Sequence, residues 1–142
     1  MPADYTPEQL LDVSRRKDDL FCELFREQAA ATGPPMLDGL PDALSLAKAH
    51  GIRCIAVTNA PRGAAETTIA SLKAHVRDAS IIEDLIIGAE CSRAKPFPDP
   101  YIEGARRLGI PLDSCIVFED SRSGIKSGVA AGLPVIAHAS QG

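Results

Sequence analysis

The sequence has no apolar run approaching the ~20 residues that a membrane span requires, and no excess of either charge that would draw it to nucleic acid or to an acidic membrane. Its 15 basic and 19 acidic residues leave a formal charge of −4. Met1 to Pro7 is polar and lacks the basic start and apolar stretch of a signal or transit peptide. The four cysteines (Cys22, Cys54, Cys91, Cys115) include no C-x-x-C, and His50, His75 and His138 fall at no ligand-like spacing, so neither a disulfide framework nor a structural zinc is indicated. What is present is ordinary for a globular chain. At 45% hydrophobic and 24% charged, the 142 residues exclude disordered, collagenous and low-complexity classes. That length suits a single domain and would bury roughly two thirds of its unfolded surface.

The N-terminal third is one helical signal. Thr6 with Gln9 three residues later forms a capping box with Pro7 at the first helical position, and Leu10, Leu11, Leu20, Phe21, Leu24 and Phe25 recur at helical spacing. The charged stretch Ser14–Asp19 separates the two apolar groups, which leaves room for a bend. Ala29 to Pro35 reads as a linker. Beyond it, helices and short apolar runs alternate. Helices are predicted at Pro41–His50, Ala64–Val76, Pro98–Leu108 and Ser121–Ala131. Strands are predicted at Ile52–Thr58, Leu85–Ile87, Cys115–Phe118 and Pro134–Ala137. This rhythm implies right-handed crossovers and a parallel α/β sheet.

Ligands of open parallel sheets bind beyond the carboxyl ends of the strands. Those ends carry Thr58 and Asn59, then Lys95 in Ala94–Tyr101, then Glu119, Asp120 and Ser121. A hydroxyl with an amide, an ammonium and a carboxylate pair are the parts of a phosphate-and-magnesium site. Each alone has a plainer reading: a cap, a solvated lysine, an acidic helix start.

Their order carries more. Val57-Thr58-Asn59-Ala60-Pro61-Arg62, Lys95-Pro96-x-Pro98 and Val117-Phe118-Glu119-Asp120-Ser121-x-x-Gly124 resemble the second, third and fourth motifs of the haloacid dehalogenase-like (HAD) superfamily. The wording is nearest to plant-type small sugar-phosphate phosphatases, then to β-phosphoglucomutase-like proteins. Arg16–Phe21 is similar to the last part of the helical cap those proteins carry. The resemblance implies a Rossmannoid core over 34–142 and a cap remnant over 1–33. It implies a Mg²⁺-dependent phosphatase acting on a small phosphorylated metabolite through an aspartyl-phosphate. Thr58 would hold a phosphoryl oxygen with Asn59 beside it, Lys95 would neutralise the transferring group, Asp120 and Glu119 would serve Mg²⁺, and Lys17 would reach the substrate from the cap. Asp99 and Tyr101 would order the loop around Lys95. A phosphomutase, or a non-catalytic phosphate-binding module, are the alternatives. A cytoplasmic monomer is expected, with an organellar address left open, and no membrane or nucleic-acid partner.

The family's first motif, a strand ending in Asp-x-Asp-Gly whose first Asp attacks phosphorus, has no counterpart, because the chain contains no Asp-x-Asp. Leu37-Asp38-Gly39 is the nearest imitation, at a helix start instead of a strand end. That missing strand belongs between Ile52–Thr58 and Cys115–Phe118. Its loss is expected either to leave a gap of roughly 10 Å or to force the flanking strands together. The chain therefore reads as cut at its N-terminus, and also at Gly142, and as inactive alone.

Overall fold

The computed structural model describes residues 5–138. Helix α1 (Pro7–Thr32) begins with the capping box in place: the Gln9 N–H donates to Thr6 Oγ1 at 3.2 Å and the Thr6 N–H donates to Gln9 Oε1 at 2.8 Å. The charged stretch does not break it. It contains neither Gly nor Pro, and Arg16 pairs with Asp12 one turn back at 2.9 Å. The helix also takes in Ala29–Thr32 before Gly33, at φ +83°, ends it, so the linker is shorter than the composition suggests. Only Phe25 and Ala29 of α1 are buried. They lie on the half that packs against α3 (Arg62–His75), where Arg26 Nη2 donates to Thr67 Oγ1 at 3.1 Å.

The remaining elements follow the expected order: α2 (Leu40–Ala49), β1 (Cys54–Thr58), α3, β2 (Ile82–Ile87), α4 (Asp99–Leu108), β3 (Val117–Glu119), α5 (Arg122–Ala130) and β4 (Val135–Ala137). Strand β2 starts three residues earlier than its apolar run. Glu83 and Asp84 interrupt the pattern but point outward to Arg53 and Arg107, so they cost the strand no buried charge.

Among the described residues the strands form two separate parallel pairs. β1 pairs with β2, with Ala56 opposite Leu85 and Thr58 opposite Ile87. β3 pairs with β4, with Val117 opposite Val135. Each pair has its own apolar cluster. Leu44, Leu72, Val76, Ala79 and Ile82 pack beside the first, and Tyr101, Val117 and Leu133 beside the second. Of the two outcomes expected for a missing central strand, the structure takes the open one: β1 and β3 do not pair. Ile116 and Phe118 stay 50% and 68% exposed. Helix α4 spans the first pair, with Gly104 against Ile55, Val57 and Ile86.

Candidate functional site

The carboxyl ends of β1 and β3 face one cleft of about 330 Å³, lined by Val57, Thr58, Asn59, Ala60, Lys95, Glu119, Asp120, Ser121 and Ser123. Its centre is a buried ion pair, with the side chains of Lys95 and Glu119 only 5% and 8% exposed. Lys95 reaches the pair from the loop before α4. Its Nζ donates to the Val57 carbonyl at 2.9 Å and to Glu119 Oε1, and lies 5.0 Å from the centre of the Tyr101 ring. The ammonium therefore ties one strand pair to the other.

Asn59 fixes the loop that presents this lysine. Its Nδ2 donates to the Lys95 carbonyl at 3.0 Å, and its Oδ1 accepts the Lys95 N–H at 3.2 Å. Only glycine fits beneath it, since a Cβ on Gly88 would stand 2.2 Å from Asn59 Oδ1. From the other side the buried Ser127 donates its hydroxyl to the Phe97 carbonyl at 2.5 Å, so α5 also holds the loop. Thr58 Oγ1 accepts the Ala60 N–H at 3.0 Å, which leaves its own proton available for an oxygen in the cleft.

Glu119 is fully engaged. Oε1 accepts from Lys95 and, at 2.6 Å, from the Tyr101 hydroxyl; Oε2 accepts from the Ser121 N–H at 3.2 Å and its hydroxyl at 2.9 Å. Burial pushes the Glu119 carboxyl up, but the Lys95 and Tyr101 hydrogen bonds outweigh it and hold the group below the ordinary carboxylate range. Burial, and then the same hydrogen bond, drive the Tyr101 phenol far above its usual range. Tyr101 is thus part of the centre as well as of the loop, while Asp99 pairs with Arg93 at 2.9 Å. Ser121, the N-cap of α5, is the other contributor: it caps the helix through the Gly124 N–H and clamps Glu119 at once. Sequence reasoning placed Ser121 in the cluster without a role. The only signal for one was its position as a helix cap directly after a carboxylate pair.

Lys17 is not among the residues lining the cleft; its ammonium lies 2.9 Å from Asp18 and stays largely exposed. Asp38 sits exposed before α2 and does not line it either. A Mg²⁺ ion requires near-octahedral oxygen ligands. Both Glu119 oxygens are committed, and no group of three or more His, Cys, Asp or Glu among the described residues could hold a metal. Asp120, exposed at the cleft, is the one carboxylate left there. These residues do not compose a Mg²⁺ site unaided.

A larger cavity of about 480 Å³ shares none of these lining residues. Its charges are paired among themselves or with neighbours, Arg93 with Asp99 and Arg107 with Asp84 and Glu103.

Residues 5–132 match the haloacid dehalogenase-like hydrolase family, and the chain belongs to it. It is 31% identical over 128 residues to protein CbbY of Rhodobacter capsulatus, covering 90% of this chain and 54% of that protein. It is 35% identical over 131 residues to hexitol phosphatase A of Escherichia coli, covering 88% and 57%. The crystal structure of CbbY from Rhodobacter sphaeroides in complex with phosphate matches with a TM-score of 0.81 at 26% identity, covering 96% of this chain and 59% of that one. The chain thus spans little more than half the length of these relatives.

Proposed function

We propose that the chain carries the phosphate-holding portion of a Mg²⁺-dependent phosphatase for small sugar phosphates, without the carboxylate that attacks phosphorus. The observation that supports this reading most is the convergence of Thr58, Asn59 and Lys95 on one cleft whose only buried carboxylate, Glu119, accepts four hydrogen bonds. A carboxylate so held is a poor nucleophile, because attack would strip the Lys95 ammonium of its partner. In this reading Lys95 offsets phosphoryl charge, Thr58 donates a hydrogen bond to a phosphoryl oxygen, and the first turn of α3 presents its free N–H groups nearby. Asp120 is the ligand this chain would contribute to Mg²⁺ in a completed site. The motif wording and the hexitol phosphatase relative favour hydrolysis over a mutase.

Titration of inorganic phosphate by calorimetry tests the binding half of the proposal. Saturable binding in roughly the millimolar range is expected. Thr58→Val, which removes one neutral donor, should weaken it several-fold, on the order of 1 kcal/mol, with an unchanged circular dichroism spectrum. An absence of saturable binding, or no effect of Thr58→Val, refutes it. Binding of Mg²⁺ and phosphate much tighter than millimolar would instead support a dedicated binding module.

A further inference from the structure

Helix α5 reaches both members of the buried ion pair. Its buried residues are Gly124, Ser127 and Gly128, three and four apart, so they share one side of the helix. Gly124 lies under Glu119, where a Cβ would stand 2.0 Å from the carboxylate. Gly128 lies against β4, where a Cβ would stand 2.7 Å from Val135 Cγ2. Ser127, on the same side, is 0% exposed and donates its hydroxyl to the Phe97 carbonyl at 2.5 Å. Ser121, at the start of the helix, binds Glu119 Oε2 through its N–H and its hydroxyl. The two serines are six residues apart, about 9 Å along the axis. Phe97 is where the hold of Ser127 passes to Lys95. The Phe97 N–H donates to the Ala94 carbonyl at 3.0 Å and closes the turn that contains Lys95. The Phe97 ring is 47% exposed, with the Arg93 guanidinium 4.5 Å from its centre, so on this side the turn is fixed through its backbone. On the other side Asn59 binds the Lys95 N–H and carbonyl. The turn is thus held at two points, by Asn59 after β1 and by Ser127 on α5.

We propose that Ser127 is a positioning residue for phosphate: with Ser121 it makes α5 the rigid spacer that sets the Lys95 ammonium beside Glu119. The proposal rests on the phosphate-holding function above and names a residue outside the cleft on which that function depends. Ser127 does not line the cleft, so it acts on phosphate only through Lys95. The ammonium has three protons. One goes to the Val57 carbonyl and one to Glu119, which leaves the third for a phosphoryl oxygen, in a direction set by the other two. Without the Ser127 hydroxyl the turn can pivot about Asn59, and the ammonium loses both its distance to Glu119 and the aim of its third proton. A serine that only satisfied a nearby carbonyl would contribute its own hydrogen bond and leave the ion pair unchanged.

A mutant cycle in urea separates the two roles. Ser127→Ala, which removes one atom and one hydrogen bond, is made in the wild type and in Lys95→Met/Glu119→Gln, which keeps the turn but has no charges to place. It should raise the unfolding equilibrium constant about fivefold more in the wild type than in the uncharged chain. Phosphate calorimetry on the folded chains should show Ser127→Ala binding about fivefold more weakly than the wild type, roughly the loss of one well-aimed hydrogen bond. Ile82→Val, which removes one methylene from the first apolar cluster, should lower stability and leave phosphate affinity unchanged. Equal effects of Ser127→Ala in the two backgrounds overturn the proposal. So does a Ser127→Ala chain that binds phosphate as tightly as a wild type shown to bind it. A wild type that binds no phosphate refutes the phosphate-holding function alone, and the cycle then still decides whether Ser127 places Lys95.

Discussion

Lys95→Met is expected to destabilise the chain by about 3–5 kcal/mol, the cost of stranding one member of a buried ion pair. That is a large share of a total stability that is commonly about 5–15 kcal/mol. The loss has a specific origin. Glu119 is 8% exposed, and without the ammonium it must either ionise unpaired or take up a proton. Lys95→Met/Glu119→Gln should therefore recover most of the loss, since the amide can keep the Tyr101 hydroxyl as a donor and leaves no buried charge. The pH dependence separates the variants. In the wild type the folded carboxyl titrates below its ordinary value of 4.5. Its contribution is then complete above that value and fades as pH falls through the lower native one. In Lys95→Met, burial dominates and raises the carboxyl, so the deficit should shrink as acid protonates it. Urea midpoints between neutral and acid pH measure both effects. A single variant within 1 kcal/mol of wild type would remove the ion pair from the account.

Gly124→Ala should be the second large effect, with a sign opposite to helix propensity. Within a helix, alanine is favoured over glycine by about 1 kcal/mol. At this position a Cβ would come within 2.0 Å of the Glu119 carboxyl carbon. A free side chain could step aside, but Lys95, Tyr101 and Ser121 hold this one. Overpacking of this kind costs about 1–3 kcal/mol before any loss of the ion pair. Gly63→Ala in α3 is the control: a Cβ there meets nothing within 4 Å, so that variant should gain a few tenths to about 1 kcal/mol. Thermal melts of the two glycine variants should move in opposite directions. A Gly124→Ala chain as stable as wild type would mean that Glu119 is not held in place.

The element order was legible because glycine and proline punctuate the apolar runs: Gly51 before β1, Gly109 after α4, Gly132 before β4. The start of β2 was hidden by Glu83 and Asp84, whose pairing with Arg53 and Arg107 is a tertiary fact. The meeting of Thr58, Asn59, Lys95, Glu119 and Asp120 at one edge was readable, since parallel strands place their carboxyl ends together. What each group is committed to was not. Tyr101 was expected only to order the loop around Lys95, and no spacing announces that its hydroxyl joins Lys95 and Ser121 in saturating Glu119. The same saturation separates a carboxylate pair that looks like a metal site in the sequence from one lone available carboxylate, Asp120, in the fold.

Under the proposed function the chain holds phosphate without a carboxylate placed to attack it, in keeping with a sequence that has no Asp-x-Asp and with β1 and β3 left unpaired. Hydrolysis of an aryl phosphate with excess Mg²⁺, compared between the 142-residue chain and Lys95→Ala, tests that claim most directly. The account predicts no turnover above the variant. Clear turnover that disappears with Lys95 would contradict it.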